Sequence, residues 1–302
     1  MKQRTLKTNI KTKNIGLHSG KSVSINLLPA PENTGIVFFR TDINKAIKVN
    51  ANNINQTMLC TTLFGEDFSI KTIEHLLSAL AMCQIDNIII ELDSEEVPIF
   101  DGSSMPFIYL IKQAGVESQR ALRKFIKIKK ELVIEEGDKN IKITPSNTFN
   151  INYKIDFNHP FIKSTNQNLQ LDFFNSDIIN NISKARTFGF LKDVEYLQKN
   201  NLALGGSINN AIVLDDYKMI NSEDLRYDDE FVRHKILDLI GDFYVEGLQV
   251  IGDVQAYKSG HFLNNQLMKK VLSNKENYSI ETCENCYNQT NIIKNLKEAF
   301  NV

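Results

Sequence analysis

Apolar and polar residues alternate through Val23, Ile25 and Leu27, the period of a strand with one buried face. A turn at Pro29–Asn33 separates this strand from the apolar run Ile36–Phe39. The periodicity then lengthens, and Ile70, Ile73, Leu76, Leu77 and Leu80 mark one side of a helix expected from Ser69, its N-cap, to Cys83. Asn87–Leu92 reads as a short β-branched strand and Pro106–Ala114 as a second helix stopped by Gly115. After a charged stretch, Glu117–Lys124, expected to be a linker, the order repeats. Strand signals open at Phe125, Ile126 and Ile128 and resume at Leu132–Ile134. After a turn at Gly137–Asp138 they recur around Ile141 and along Ile151–Phe157. A helix over Asp229–Tyr244, a strand over Val250–Tyr257 and a helix from Phe262 to Leu272 complete the pattern. Strands followed by helices, twice, predict an α+β fold of two consecutive domains, residues 1–120 and 125–302.

Composition narrows the function classes. A 302-residue chain with 42% hydrophobic and 24% charged residues can bury a sizeable core. Its net charge of −1 offers no basic field for a phosphate backbone, so no nucleic acid is expected as partner. The N-terminus is basic but lacks the apolar core of a signal peptide, and no stretch approaches ~20 apolar residues. A cytoplasmic protein without stable membrane insertion is therefore expected, and it is expected to act as a monomer. Cys283 and Cys286 form a single C-x-x-C pair, where a zinc ribbon needs two, and are read as incidental.

Two helices carry candidate chemistry. On Asp229–Tyr244 the apolar residues Val232, Ile236, Leu239, Ile240 and Phe243 gather on one side, and His234, Asp238 and Asp242 follow one another on the other, with Lys235 beside them. An imidazole and a carboxylate four residues apart can grip one cation. Alone, that spacing reads as a solvated acidic face. On the earlier helix, Glu74 and His75 are adjacent and diverge by ~100°, which suits a division of labour. His75 would bind a metal while Glu74 accepts a proton from the water it activates. Two histidines and one aspartate make a three-ligand zinc shell with one position open, although such N/O sites also accept other divalent ions.

With these residues placed, the chain resembles the UDP-3-O-acyl-N-acetylglucosamine deacetylase family, zinc enzymes of lipid A synthesis in Gram-negative bacteria. The resemblance rests on an ordered series of segments. They include G-L-H-S-G from Gly16, T-M-L-C-T from Thr57, T-I-E-H-L from Thr72, P-I-F-D-G-S from Pro98, D-F-N-H-P from Asp156 and A-R-T-F-G-F from Ala185. The most specific are F-V-R-H-K-I-L-D-L-I-G-D from Phe231 and A-Y-K-S-G-H from Ala256. The series runs from the N-terminus to about residue 272.

The resemblance implies zinc (Zn2+) held by His75, His234 and Asp238, with Glu74 as general base and His261 as the cationic acid near the leaving amine. It implies that Thr187 donates to the developing oxyanion and Asp242 supports His261. It places Lys235 and Lys139 against the substrate, an acylated UDP-amino sugar, with Lys139 on the nucleotide side. Met58, Phe188, Val194 and Leu197 are expected at the substrate too, the last three in an apolar passage built from Phe188–Leu204. In that passage Ala203 replaces a cysteine of another family member. The implied fold is two α+β domains, each layering sheets on paired helices, with the active site between them. Taken singly, Thr187 could cap a turn, His159 is a loop residue, and His18 is structural or at most lines the cleft. Gly205 and Gly206 read as a tight loop, and no role is assigned from Ser279 onward. Two rivals remain at this level: a non-catalytic nucleotide-sugar or acyl-lipid binder, and a zinc peptidase, which the absence of H-E-x-x-H disfavours.

Overall fold

The computed structural model describes residues 1–55 and 59–282. Alternation along Ser22–Pro29, whose Val23, Ile25 and Leu27 are fully buried, places this strand inside a five-stranded sheet. The sheet order is Ile10–Ile15, Ser22–Pro29, Ile88–Leu92, Ile36–Arg40 and Lys45–Lys48. Ile88–Leu92 runs antiparallel to Ser22–Pro29 and parallel to Ile36–Arg40. The second half centres on the nine-residue strand Gln249–Tyr257 of a seven-stranded sheet. Lys124–Ile128 and Phe149–Lys154 pair with it in parallel, and Lys139–Thr144 antiparallel. Every ladder among the described residues joins strands that both precede Arg123 or both follow it. The fold is α+β.

The helices are α1 (Glu74–Met82), α2 (Met105–Ala114), α3 (Pro160–Lys163), α4 (Ile178–Ile182), α5 (Leu191–Lys199), α6 (Glu230–Phe243) and α7 (His261–Leu272). α1 packs on α2, α6 packs on α7, and α1 lies along α6. That last contact is close because Gly241 has no side chain. A Cβ there would stand 2.1 Å from the Glu74 carbonyl oxygen, inside any van der Waals limit. α2 ends as its sequence demands, with Gly115 at φ 71°.

Three expectations are corrected. Ser69 does not cap α1. Ser69–Ile70 pairs antiparallel with Leu63–Phe64, Thr72 turns into the left-handed region at φ 60°, and the helix starts only at Glu74. The stretch expected as a linker is largely a strand, Val116–Leu122, paired antiparallel with Lys2–Leu6. Its polar residues belong to a half-exposed ladder rather than a free connection. The tail from Ser279 onward, to which no role was assigned, begins within a strand, Tyr278–Thr282, antiparallel to Lys124–Ile128. Cys283 and Cys286 lie outside the described residues.

Candidate active site

The polar sides of α1 and α6 are not solvated. Each covers the other, so Glu74, His75, His234, Asp238 and Asp242 are all at most 4% exposed. Charged groups so deeply buried are costly unless paired or bound to a metal. Asp238 Oδ1 lies 3.5 Å from His75 Nε2 and 3.4 Å from His234 Nε2, yet has no hydrogen-bond partner. For ligand bonds of ~2.0–2.1 Å in a tetrahedron, neighbouring ligand atoms stand ~3.4 Å apart. The three groups therefore form a metal-sized shell, with ligand atoms all within 4.8 Å of one another. His234 Nδ1 donates to the Ala185 carbonyl at 3.0 Å, which leaves its Nε2 lone pair facing the shell. Burial pushes the His234 imidazole down to about 3, so it is neutral and ready to ligate.

Asp238 Oδ2 receives a hydrogen bond of 2.6 Å from Lys235 Nζ. Burial works against the Asp238 carboxylate, but its polar surroundings, the hydrogen-bonded Lys235 ammonium among them, hold it well below the usual carboxylate range. Beside the shell, Glu74 Oε2 accepts from the Thr61 backbone N–H at 3.0 Å, while Oε1 faces His261 Nε2 at 3.9 Å. Burial raises the Glu74 carboxyl above its ordinary value. His261 stands at the first turn of α7 and donates from Nδ1 to Asp242 Oδ2 at 2.9 Å. Burial weighs against its imidazolium, yet Asp242 and then Asp238 outweigh it, and the value rises to about 9. A carboxylate free at one oxygen and a cationic imidazole thus face a common centre next to the shell.

That centre opens into a cleft of about 1340 Å³, larger than the ~300–1,000 Å³ usual for small-ligand sites. Thr187 lies in its wall, fixed on both sides: its N–H donates to Gly102 and its carbonyl accepts from Ile212, each at 2.8 Å. Its lining includes the apolar residues Phe188, Val194, Leu197 and Ala203. Phe188–Phe190 pairs in parallel with Ile212–Leu214, and α5 crosses between them. Charged side chains, Glu136, Lys139 and Lys258, line it as well, and Phe157 in the same wall meets Phe188 edge-on at 5.3 Å.

The sequence matches the same picture. The model of the family described as UDP-3-O-acyl N-acetylglycosamine deacetylase matches residues 3–273. A relative from Photobacterium profundum is 52% identical over 285 residues, covering 93% of this chain and 94% of its own. One from Pasteurella multocida is 52% identical over 285 residues, covering 93% of each chain. One from Vibrio vulnificus is 51% identical over 287 residues, covering 94% of each. All three are named UDP-3-O-acyl-N-acetylglucosamine deacetylase. The chain belongs to this family.

In this member of the deacetylase family, the structure gathers the expected ligands, base and acid around one point. Lys235, Lys139, Phe188, Val194 and Leu197 all line the cleft, while Met58 lies outside the described residues. His18 also lines the cleft; its ring is buried and neither nitrogen has a hydrogen-bond partner. Its loop is held by Glu96, which accepts from the His18 and Ser19 N–H groups at 2.7 and 2.9 Å. His159 stands in the loop before α3, as expected, and its buried ring meets the Asp215 carbonyl at 2.7 Å and stands near Phe190. Sequence reading missed Thr61, Asn264 and Asn265. Asn264 donates to Asp242 Oδ2 at 2.9 Å, and Asn265 donates to the His261 carbonyl at 2.8 Å. Asn264 and Asn265 stand three and four residues past His261 on α7, and that helical spacing was the available signal.

Proposed function

We propose that this enzyme hydrolyses the acetamide of UDP-3-O-(3-hydroxyacyl)-N-acetylglucosamine, releasing acetate and the free 2-amino sugar. The observation that carries the reading is the metal-sized His75–His234–Asp238 shell, with Glu74 and His261 facing the same centre. The donor set fits zinc, for two imidazoles and a carboxylate, with the carboxylate oxygen 3.5 and 3.4 Å from the two ring nitrogens, leave one position of a tetrahedron open. When bound there, zinc supplies Lewis acidity to the acetyl carbonyl and acidifies a water.

This chain's own residues do the rest. Glu74, with Oε2 tied to the Thr61 N–H, presents Oε1 to take the proton of the attacking water. Thr187 donates from the cleft wall to the oxyanion that develops on the acetyl group. His261, cationic through neutral pH and oriented by Asp242, delivers a proton from Nε2 to the departing sugar nitrogen. Lys235 and Lys139 contact the polar head of the substrate, and Phe188, Val194 and Leu197 line the path of its acyl chain. By its family likeness the enzyme acts in the cytoplasm, as a monomer of two domains meeting at the cleft.

Purified protein mixed with the acylated UDP-N-acetyl sugar tests the reading by acetate release. Release that a chelator abolishes and zinc restores is expected. Tight binding of the sugar without acetate would make the chain a binding protein instead.

A further inference from the structure

Thr61 touches both halves of the proton-transfer pair. It is fully buried. Its backbone N–H donates to Glu74 Oε2 at 3.0 Å. Its hydroxyl donates to Asp242 Oδ1 at 2.5 Å. Asp242 is an acceptor on both oxygens, because Oδ2 already receives His261 Nδ1 and Asn264 Nδ2, each at 2.9 Å. The hydroxyl proton therefore has one destination. Its lone pairs turn toward Asn265 Nδ2, a donor at 3.5 Å, and His261 Nδ1 lies 3.4 Å away. The network then has one consistent direction, with the Nδ1 proton of His261 fixed on Asp242 and Nε2 left to face the reacting centre.

We propose that Thr61 is a positioning residue: through its N–H and its hydroxyl it holds Glu74 and the Asp242–His261 pair in one frame, so that base and acid address the same acetyl group. This rests on the deacetylase reading of the site. Without the hydroxyl, Asp242 Oδ1 is a buried acceptor with no donor, and the carboxylate is free to rotate away from the imidazole. The N–H contact to Glu74 survives any side-chain change, so substitution isolates the Asp242 arm.

Thr61→Val keeps the branched shape and removes only the hydroxyl. Its kcat should fall about tenfold to a hundredfold, the usual cost of one unsatisfied buried acceptor, with KM and zinc content unchanged. Thr61→Ser should stay within about threefold of wild type. Combined with Asp242→Asn, Thr61→Val should add no further loss, since it acts through that carboxylate. In proton NMR, the downfield resonance of the hydrogen-bonded His261 Nδ1–H should be present in wild type and Thr61→Ser but lost or shifted in Thr61→Val. If Thr61→Val does not fold, Thr61→Ser and Thr61→Ala replace it, because both lose the same methyl and only the second loses the hydroxyl. Wild-type kcat in the hydroxyl-free variant would overturn the proposal. So would a loss fully additive with Asp242→Asn, or a Ser variant as impaired as Ala. A wild-type enzyme that releases no acetate would sink the deacetylase reading instead, before any variant is compared.

Discussion

Replacing Asp242 by Asn should move the alkaline side of the pH profile by more than two units. In the wild type, burial favours neutral His261, but Asp242 and Asp238 hold the proton to about 9. The imidazole is therefore charged below that value and loses its proton above it, which sets the alkaline limb. Asparagine removes the largest opposing charge and leaves one acceptor oxygen for three donors, Thr61 Oγ1, Asn264 Nδ2 and His261 Nδ1. His261 should then titrate near or below its ordinary ~6.5. At pH 8 the protonated fraction falls from about nine-tenths to about 3%, a loss of roughly 30-fold in kcat/KM from protonation alone. The assay is acetate release from pH 5 to 10 with zinc content measured in parallel. The acid limb, set by a Glu74 carboxyl that burial has raised, should lie above the ordinary glutamate value. An Asp242→Asn enzyme whose alkaline limb stays where the wild type has it would refute the assignment of His261 as the acid.

Single replacement of His75, His234 or Asp238 by Ala should each abolish tight zinc binding in metal analysis, because a three-ligand shell has no redundancy; full occupancy in the variants would contradict it. A substrate without its fatty chain should show kcat/KM lower by several powers of ten, since each buried methylene contributes ~0.8 kcal/mol against Phe188, Val194 and Leu197; equal values would remove the passage from the account. Gly241→Ala forces a Cβ into the Glu74 carbonyl, so it should cost about 1–3 kcal/mol and lower Tm and kcat together, and an unchanged melting curve would show that α1 and α6 are not tightly apposed.

The helices that bear the ligands were legible because long periodic segments with a clear apolar side are strong signals; α6 departs from its expected span by one residue at each end. The start of α1 was not. Ser69 has the chemistry of a cap, but a strand pairing with Leu63–Phe64 and a left-handed Thr72 override it. Periodicity also could not tell a solvated polar side from a buried one, since that depends on α1 lying along α6 with 159 residues between Glu74 and His234. The i, i+4 pair His234 and Asp238 does converge, while Asp242, one turn further, serves His261 instead. Thr61 closes the segment T-M-L-C-T, but its role was not legible there, because its partners Asp242 and His261 lie 181 and 200 positions away.

The most direct test of the account is a zinc titration of chelator-stripped protein, read as acetate released from the acylated UDP-N-acetyl sugar. Activity should be absent in the stripped protein and rise linearly to a plateau at one zinc per chain, with Glu74→Ala binding the same single zinc yet releasing acetate about two to four powers of ten more slowly. Full turnover by the stripped protein, or near-normal turnover by zinc-loaded Glu74→Ala, would contradict a zinc deacetylase built on His75, His234, Asp238 and Glu74.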